Sequence, residues 1–513
     1  MKFSKTKASL LAITLLFAAI PFGFTSCGEP GEGGEKKETV VIRAGIGENS
    51  VVDYTDMPFF QDLEEATGVR FELEEMSNTN IALMFSSGSY VDVLFGGNCT
   101  DSQLMIAANS GDVVELTPEM LSEYAPTWKK TFDENPDFYN ASKFDGDKLY
   151  SLPYIRTLST DRGVRDVWWI NQKWLDELNL NMPKTLTDFK NVLRAFKANA
   201  GKGSIPEKVI PWYTAINSII GGQFDFYASY GLPVYDYTYL GVDDSGKIVS
   251  YATDTRLKTA IKELSSMYAE GLITPEAISD DGNAYMTRTN SVAEVPYIGV
   301  FTAYWTPMED YVPMTLFQSA EGVEPLIRQQ PLGVIRNRAV IFSSCKAPER
   351  VLEALEWVVQ EKNQMYLDFG KEGEGYSYDE ASKTYTVHNA DSDTHTTPGN
   401  AISGLLDGRF EGRITFDSDH SWYKRQQAIE LYQGHMIDLK NLIPPMMFSS
   451  SAQEKADEYK RTFQAYIGQM TDKWVEGTSN VDSDWNAYVT QIGKLGMDEF
   501  VKLYQEAYDN FKS

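Results

Sequence analysis

Cysteine and histidine are scarce in this chain of 513 residues, which holds three of the first and four of the second. Cys27, Cys99 and Cys345 lie too far apart for a Cys-x-x-Cys zinc or redox pair. Cys99 and Cys345 are left either to form one disulfide or to stand as two buried thiols. His388, His395, His420 and His435 show no i, i+4 pairing and no neighbouring cysteine. They read as polar-surface histidines, not as metal ligands or a general base. Basic residues are also short, 46 against 73 acidic ones, and the formal net charge of −27 argues against nucleic acid and anionic lipid as partners. No Walker loop, Gly-x-Ser-x-Gly elbow or EF-hand ligand series occurs. Nor is there an internal repeat of about twenty to fifty residues, which argues against a helical solenoid. With this many carboxylates, pairs at glycosidase separation arise by accident and diagnose nothing.

What is present begins with Lys2, Lys5 and Lys7, an apolar run from Leu10 to Ile20 and small residues ending at Cys27, the layout of a cleaved secretory signal spanning 1–26. The run is too short to span a bilayer stably. Cys27 after Phe24, Thr25 and Ser26 reads as a lipobox cysteine that is acylated on cleavage, although Phe24 stands where such boxes usually carry Leu. Gly28 to Glu38 is rich in Gly and charge and has no large apolar residue, so 27–38 reads as a flexible tether, and its glycines bind no phosphate. The remaining length and the 42% apolar content support two domains or more.

Thr39 to Gly45 reads as a buried strand, Asp56 to Thr67 as a helix stopped by Gly68, Val69 to Glu74 as a strand, Ile81 to Phe85 as a short helix and Val91 to Phe95 as a third strand. Such alternation predicts a parallel sheet with ligands beyond the carboxyl ends of its strands. The segment Lys143 to Phe189 then carries a turn at Asp145-Gly146-Asp147, an extended stretch to Ile155 and the apolar run Val167 to Ile170 feeding an amphipathic helix near Asn171. Thr185 and Asp188 have capping-box spacing before the next helix. Helices are also expected over Leu186–Lys197, Thr255–Glu270, Pro348–Val359, Glu454–Met470 and Met497–Phe511, with a polar, hairpin-like insertion at Gly370–Gly399.

Three stretches carry a family resemblance. Asp145 to Pro153 with Ile170 to Phe189, the phrase Glu270-Gly271-Leu272-Ile273-Thr274-Pro275-Glu276, and the end from Asp484-Trp485 through Leu495-Gly496-Met497-Asp498-Glu499 to Tyr508-Asp509 occur in the order found in bacterial extracellular solute-binding proteins of family 1. The chain resembles the large lipoprotein subgroup of that family, which serves ABC importers. The resemblance implies an α/β, two-lobe periplasmic-binding-protein-like fold (type II) with hinge strands and a helical C-terminal region. It implies an N-terminal lobe of 39–157 plus about 292–331, and a C-terminal lobe of 158–291 plus about 332–513 whose helical tail packs near the hinge. It also implies a monomer without enzymatic activity, lipid-anchored through Cys27 on the extracytoplasmic face of the cell membrane, which hands a carbohydrate to ABC permease subunits. Some relatives hold calcium in a loop matching Asn199 to Glu207, but carboxylates are nearly absent there, so no calcium and no cofactor are expected.

Aromatic residues make up 13% of the chain, and flat aromatic faces suit sugar rings. From the positions that contact sugar in distant members of the fold, the candidates are Glu48 and Asn49 after the first strand, Gly97, Asn98 and Asp101 after the third, and Tyr304 with Trp305 after a later crossing. Trp212 and Tyr213 after Pro211, Trp422 in a polar stretch, and Trp168 or Trp169, of which alternation shows only one, complete the set. Trp174 reads as core, and the Asn98-Cys99-Thr100 sequon as accidental. The alternatives are the same fold holding a peptide or other small solute and, less favoured, an extracellular glycan-degrading enzyme. A glycan-docking lipoprotein of helical repeats is opposed by the alternating strands and helices.

Overall fold

The computed structural model describes residues 39–47, 54, 57–96, 99–144, 147–158, 164–290, 296–388, 397–399 and 401–512. The expected signal, Cys27, the tether and the turn at Asp145-Gly146 lie outside them. Strands β1 (Val40–Gly47), β2 (Val69–Met76) and β3 (Val93–Phe95) alternate with helices Pro58–Thr67 and Asn78–Ser87. The first helix ends where Gly68, at φ 71°, returns its N–H to Glu64 O. Next come β4 (Leu152–Arg156), β5 (Val167–Asn171), β6 (Ile210–Trp212), β7 (Leu240–Val242), β8 (Ile248–Ser250), β9 (Ile298–Ala303), β10 (Tyr311–Pro313) and β11 (Val334–Ile341). In the insertion β12 (Tyr376–Asp379) and β13 (Thr384–Val387) form an antiparallel hairpin, to which β15 (Ile414–Phe416), beyond the insertion, adds a parallel strand, with β14 (Leu405–Leu406) between them in sequence.

The first sheet runs β14-β4-β11-β3-β1-β2, and β1 is parallel to both β2 and β3, as the alternation predicts. β11 enters antiparallel between β3 and β4. Opposite it, Pro153 has no N–H to give the ladder, and here β11 breaks register, pairing Ile335 with Tyr154 and then Ala339 with Leu152. The second sheet runs β10-β5-β9-β6. Here the structure corrects the sequence reading of where the chain returns. The run expected to rejoin the first lobe at 292–331 contains β9, which pairs with β5 and β6 in the second sheet. The stretch from 332, assigned to the second lobe, contains β11 of the first sheet. Close packing fixes β9 there, since a Cβ on Gly299 would stand 2.5 Å from the Phe196 ring and 2.6 Å from Pro211 O.

Each sheet has its own hydrophobic core. The C-terminal helices Ser450–Glu476 and Met497–Lys512 serve both: Phe463, Trp474 and Phe500 lie in the core of the second sheet, and Ala456, Leu503 and Phe511 in that of the first. Three segments pass between the sheets side by side. Arg165 N–H donates to Arg328 O at 2.7 Å, Arg156 N–H to Gly333 O at 2.8 Å and Ile327 N–H to His435 O at 2.8 Å. Cys99 and Cys345 are free and buried in different clusters, which settles the open pairing in favour of two thiols, and burial pushes the Cys99 thiol up to about 12.

Because Phe500 is fully buried in a helix that joins both cores, Phe500→Ala should cost about 3 to 5 kcal/mol. A matching fall in the denaturant midpoint checks this, and an unchanged midpoint would show the helix to be peripheral.

Candidate ligand-binding site

The strand directions bring the candidate site to the crossover. β4 leads out of the first sheet at Arg156, and the parallel strands β1 and β3 end on the same side. In the second sheet β9 is antiparallel to β5 and parallel to β6, so the carboxyl ends of β6 and β9 lie beside the entry of the chain into β5. A cavity of about 320 Å³ opens there. Tyr235, Tyr285, Tyr304 and Trp305 give it aromatic faces, while Arg165, Asp166, Thr289 and Gln330 give it hydrogen-bonding groups. An apolar-faced pocket with a few fixed polar groups binds a ligand of mixed character and orients it, as sugar rings require. A neighbouring cavity of about 340 Å³ shares Tyr235 and Gln330 with it and continues toward Tyr504 and the 442–448 segment.

Beneath the cavity lies an ionic cluster. Arg328 is fully buried, and its guanidinium donates to both Asp225 oxygens at 2.7 and 2.8 Å, to Asp166 Oδ2 at 3.2 Å and to the carbonyls of Ile219 and Tyr235 at 3.0 Å each. Arg165 pairs with the same Asp166 oxygen. Arg425, also fully buried, donates to Tyr304 O at 3.0 Å and to Val164 O, and its Cζ lies 3.6 Å from the centre of the Tyr304 ring. Tyr304 is therefore held by a cation–π contact as well as by the backbone. Tyr285 stacks on Tyr213 at 4.8 Å and donates its hydroxyl to Thr302 O at 2.8 Å.

Of the residues expected from the sequence, Tyr304 and Trp305 line the cavity. Asp101 opens the helix Asp101–Asn109 behind the capping box of Thr100 and Gln103, with its side chain 30% exposed. Glu48, Asn49, Gly97 and Asn98 lie outside the described residues. Trp168, Trp169, Trp212 and Tyr213 are corrections: all four are buried in the second core. Alternation exposes a residue only where one sheet face is open, and β5 is flanked by β9 and β10 with buried side chains along its whole length. Trp168 packs on Phe189, Trp212 and Phe317, the Trp169 indole donates to Ala303 O at 3.1 Å, and Tyr213 donates to Asp280 at 2.7 Å. Trp422 packs against Phe416 and Tyr304 and does not line the cavity. Sequence reasoning missed Arg165, Asp166, Tyr235, Tyr285, Thr289 and Gln330; the charged pair directly before the apolar run of β5 was the available signal. The 199–207 loop is held by Lys202 Nζ, 3.2 Å from Asn199 Oδ1, and by Ser204 N–H, which donates to Glu177 outside the loop at 2.9 Å. Among the described residues no cluster of His, Cys, Asp and Glu could hold a metal ion.

The model of the bacterial extracellular solute-binding protein family matches residues 48–365. The chain belongs to this family. It is 24% identical over 509 residues, covering 93% of this chain and 91% of the relative, to the fructooligosaccharide ABC transporter substrate-binding protein FusA of Streptococcus pneumoniae. The structure of S. pneumoniae FusA in complex with kestose aligns with a TM-score of 0.77 at 22% identity, over 92% of this chain and 99% of that one. An HMO-binding solute-binding protein from Bifidobacterium longum infantis aligns with a TM-score of 0.76 at 22% identity, over 93% and 99%. The fold is thus the two-lobe, periplasmic-binding-protein-like α/β fold. Proteins of this family bind and release solutes and are not enzymes.

His420 offers a pH test of the aromatic cluster that supports Tyr304. Its Nδ1 accepts the Trp422 N–H at 3.0 Å and caps the helix Ser421–Leu431, which only the unprotonated nitrogen can do. Burial holds its pKa below the ordinary 6.5, against the pull of Asp419 and Asp417. The unfolded chain therefore takes up a proton first on acidification. This contribution to stability is present in full above pH 6.5 and is lost as pH falls toward the lower native value. His420→Asn keeps a capping oxygen and does not titrate, so denaturation between about pH 7.5 and 5.5 should show a shallower acid-side loss in the variant than in the parent.

Proposed function

We propose that the protein is a lipid-anchored, extracytoplasmic receptor that captures an oligosaccharide in this cavity and delivers it to an ABC permease. The observation that carries the reading is the cavity itself, with aromatic faces from Tyr235, Tyr285, Tyr304 and Trp305 beside the anchored pair Arg165 and Asp166 and the amide of Gln330. Its volume of about 320 Å³ fits one or two sugar rings, with the rest of the chain extending outward. Support comes from the relatives, whose names specify fructooligosaccharide and HMO binding.

The anchor is Cys27, whose thiol is acylated and which becomes the N-terminus when residues 1–26 are removed, and the tether to Glu38 gives the receptor reach above the bilayer. Among the described residues no helix is long and apolar enough to cross a membrane. The receptor works as a monomer. One lobe is built on the sheet of β1–β4, β11 and β14, the other on that of β5, β6, β9 and β10, and the three side-by-side crossings act as the hinge. The sugar must bind the closed arrangement more tightly than the open one, since equal affinity would shift nothing. Micromolar affinity, about −8 kcal/mol, suits capture followed by release.

Thermal-shift and calorimetric titration against a panel of fructooligosaccharides and HMOs tests the reading, because a bound ligand raises the melting temperature. At least one series should bind, and Trp305→Ala should weaken it by about 2 kcal/mol, roughly thirtyfold. Binding confined to peptides or amino acids, or release of new reducing ends from a glycan, would overturn it.

A further inference from the structure

The break in β11 is larger than Pro153 demands. One extra residue is the ordinary bulge, yet here Arg336, Asn337 and Arg338 together face Pro153, and Asn337 takes a left-handed φ of 58°. All three residues reach the same short segment, the connection from the end of β3 to Asp101. Gly96 N–H donates to Arg338 O at 3.0 Å, and Arg338 Nη1 donates back to Gly96 O at 2.6 Å. Asn337 Nδ2 donates to Asp101 Oδ1 at 2.8 Å and approaches Cys99 O at 3.4 Å, while Ser151 Oγ, 3.2 Å from Asn337 Oδ1, fixes which way the amide faces. Arg336 places Nε 3.5 Å from the same Asp101 oxygen. Its three guanidinium nitrogens are buried and have no hydrogen-bond partner among the described residues, and its Cζ lies 5.4 Å from the Phe144 ring.

Burying a guanidinium without hydrogen bonds is costly, and breaking a ladder around a left-handed asparagine forfeits strand pairing. Neither feature serves the sheet. What they share is Asp101, whose carboxylate is gripped on one oxygen by an amide and a fixed positive charge while its side chain stays 30% exposed. Bulges beside binding sites re-aim a side chain in this way.

We propose that the Arg336–Asn337–Arg338 bulge is a positioning device that presets Asp101 as the first lobe's hydrogen-bonding contact to the ligand. The inference rests on the oligosaccharide reading above. It assigns Asn337 and Arg336 a role exerted through Asp101 and not by touching the ligand.

The test is a double-mutant cycle on affinity, using the oligosaccharide of the panel with the largest thermal shift. Asn337→Gly keeps the left-handed backbone and deletes the amide. It should weaken binding about tenfold, Asp101→Asn about thirtyfold, and the double variant no more than Asp101→Asn alone. A merely structural role would instead give losses that multiply, and that result overturns the proposal. Ser151→Ala frees the amide without touching the backbone and should lose affinity in the same direction by less; it carries the test if Asn337→Gly does not fold. Affinity lost by Asp101→Asn but kept by Asn337→Gly and Ser151→Ala overturns the positioning role and leaves the oligosaccharide reading intact. Unchanged affinity in Asp101→Asn overturns the proposal. A parent protein that binds no glycan of the panel overturns that reading, and the proposal with it.

Discussion

The burial of Arg328 is the constraint on which the joint between the two sheets depends. A guanidinium removed from water loses several kcal/mol of hydration, and an ion pair in the interior recovers this only when its remaining donors are also met. Arg328 has five N–H donors, and they meet both oxygens of Asp225, one of Asp166 and the carbonyls of Ile219 and Tyr235. Those acceptors come from the entry to β5, the helix Gln223–Ala228 and the loops flanking it, while Arg328 itself sits on the crossing that leads to β11. The backbone repeats the tie, through the bond from Arg165 N–H to Arg328 O. Asp166 and Tyr235 are at once partners of this hub and walls of the cavity. The place where a ligand would press is therefore rigid because the joint beneath it is saturated.

Around this hub the aromatic residues divide into two unequal groups. Most serve packing: Phe189 lies face to face with Phe317 at 4.7 Å, with Trp168 and Trp212 set edge-on and tilted around them. A sheet of four strands that must cover helices such as Leu186–Ala198 and Thr255–Ala269 has few positions, so each carries a large side chain. Those aromatics that reach the cavity all lie outside the strands: Tyr304 and Trp305 just past the end of β9, Tyr235 on a loop and Tyr285 on the helix Gly282–Asn290. Abundance of aromatic residues thus says little about ligand contact.

Legibility in the sequence follows the range of the forces involved. Local signals were enough for β1 to β3, for the helix stop at Gly68, for the core position of Trp174 and for the capping box, in which Thr185 N–H meets Asp188 at 3.1 Å and Asp188 N–H meets Thr185 Oγ1 at 3.1 Å. They were not enough to place β9. Ile298–Ala303 and Val334–Ile341 are both apolar-rich, β-prone runs, and either could rejoin the first sheet. What decides is long-range: the Tyr285 hydroxyl meeting Thr302, and the approach of Phe196 to Gly299. The candidate site shows the same limit. Tyr304 and Trp305 follow from positions that contact sugar in distant members of the fold, although the strand before them stays in the second sheet, whereas Arg165 and Asp166 left only a charged pair before β5 as a signal and Gln330 left none.

The tail sets the direction in which such a joint can move. On the helix Met497–Lys512, Phe500 and Leu503 are neighbours, yet one is buried in the second core and the other in the first. Parting the sheets on this side would draw one of them into water, at about 1.5 to 3 kcal/mol for each large side chain exposed. Tyr459, Tyr504 and Tyr508 border both cores and add to that cost. On the cavity side the described walls come from the second sheet and the crossings, so opening there exposes no comparable apolar seam. The 340 Å³ cavity lined by Tyr504, Met446 and Gln330 lies between the crossing segments and the tail. On the receptor reading, then, the three crossings flex while the C-terminal helices hold the two cores together, and the jaws open toward the aromatic pocket.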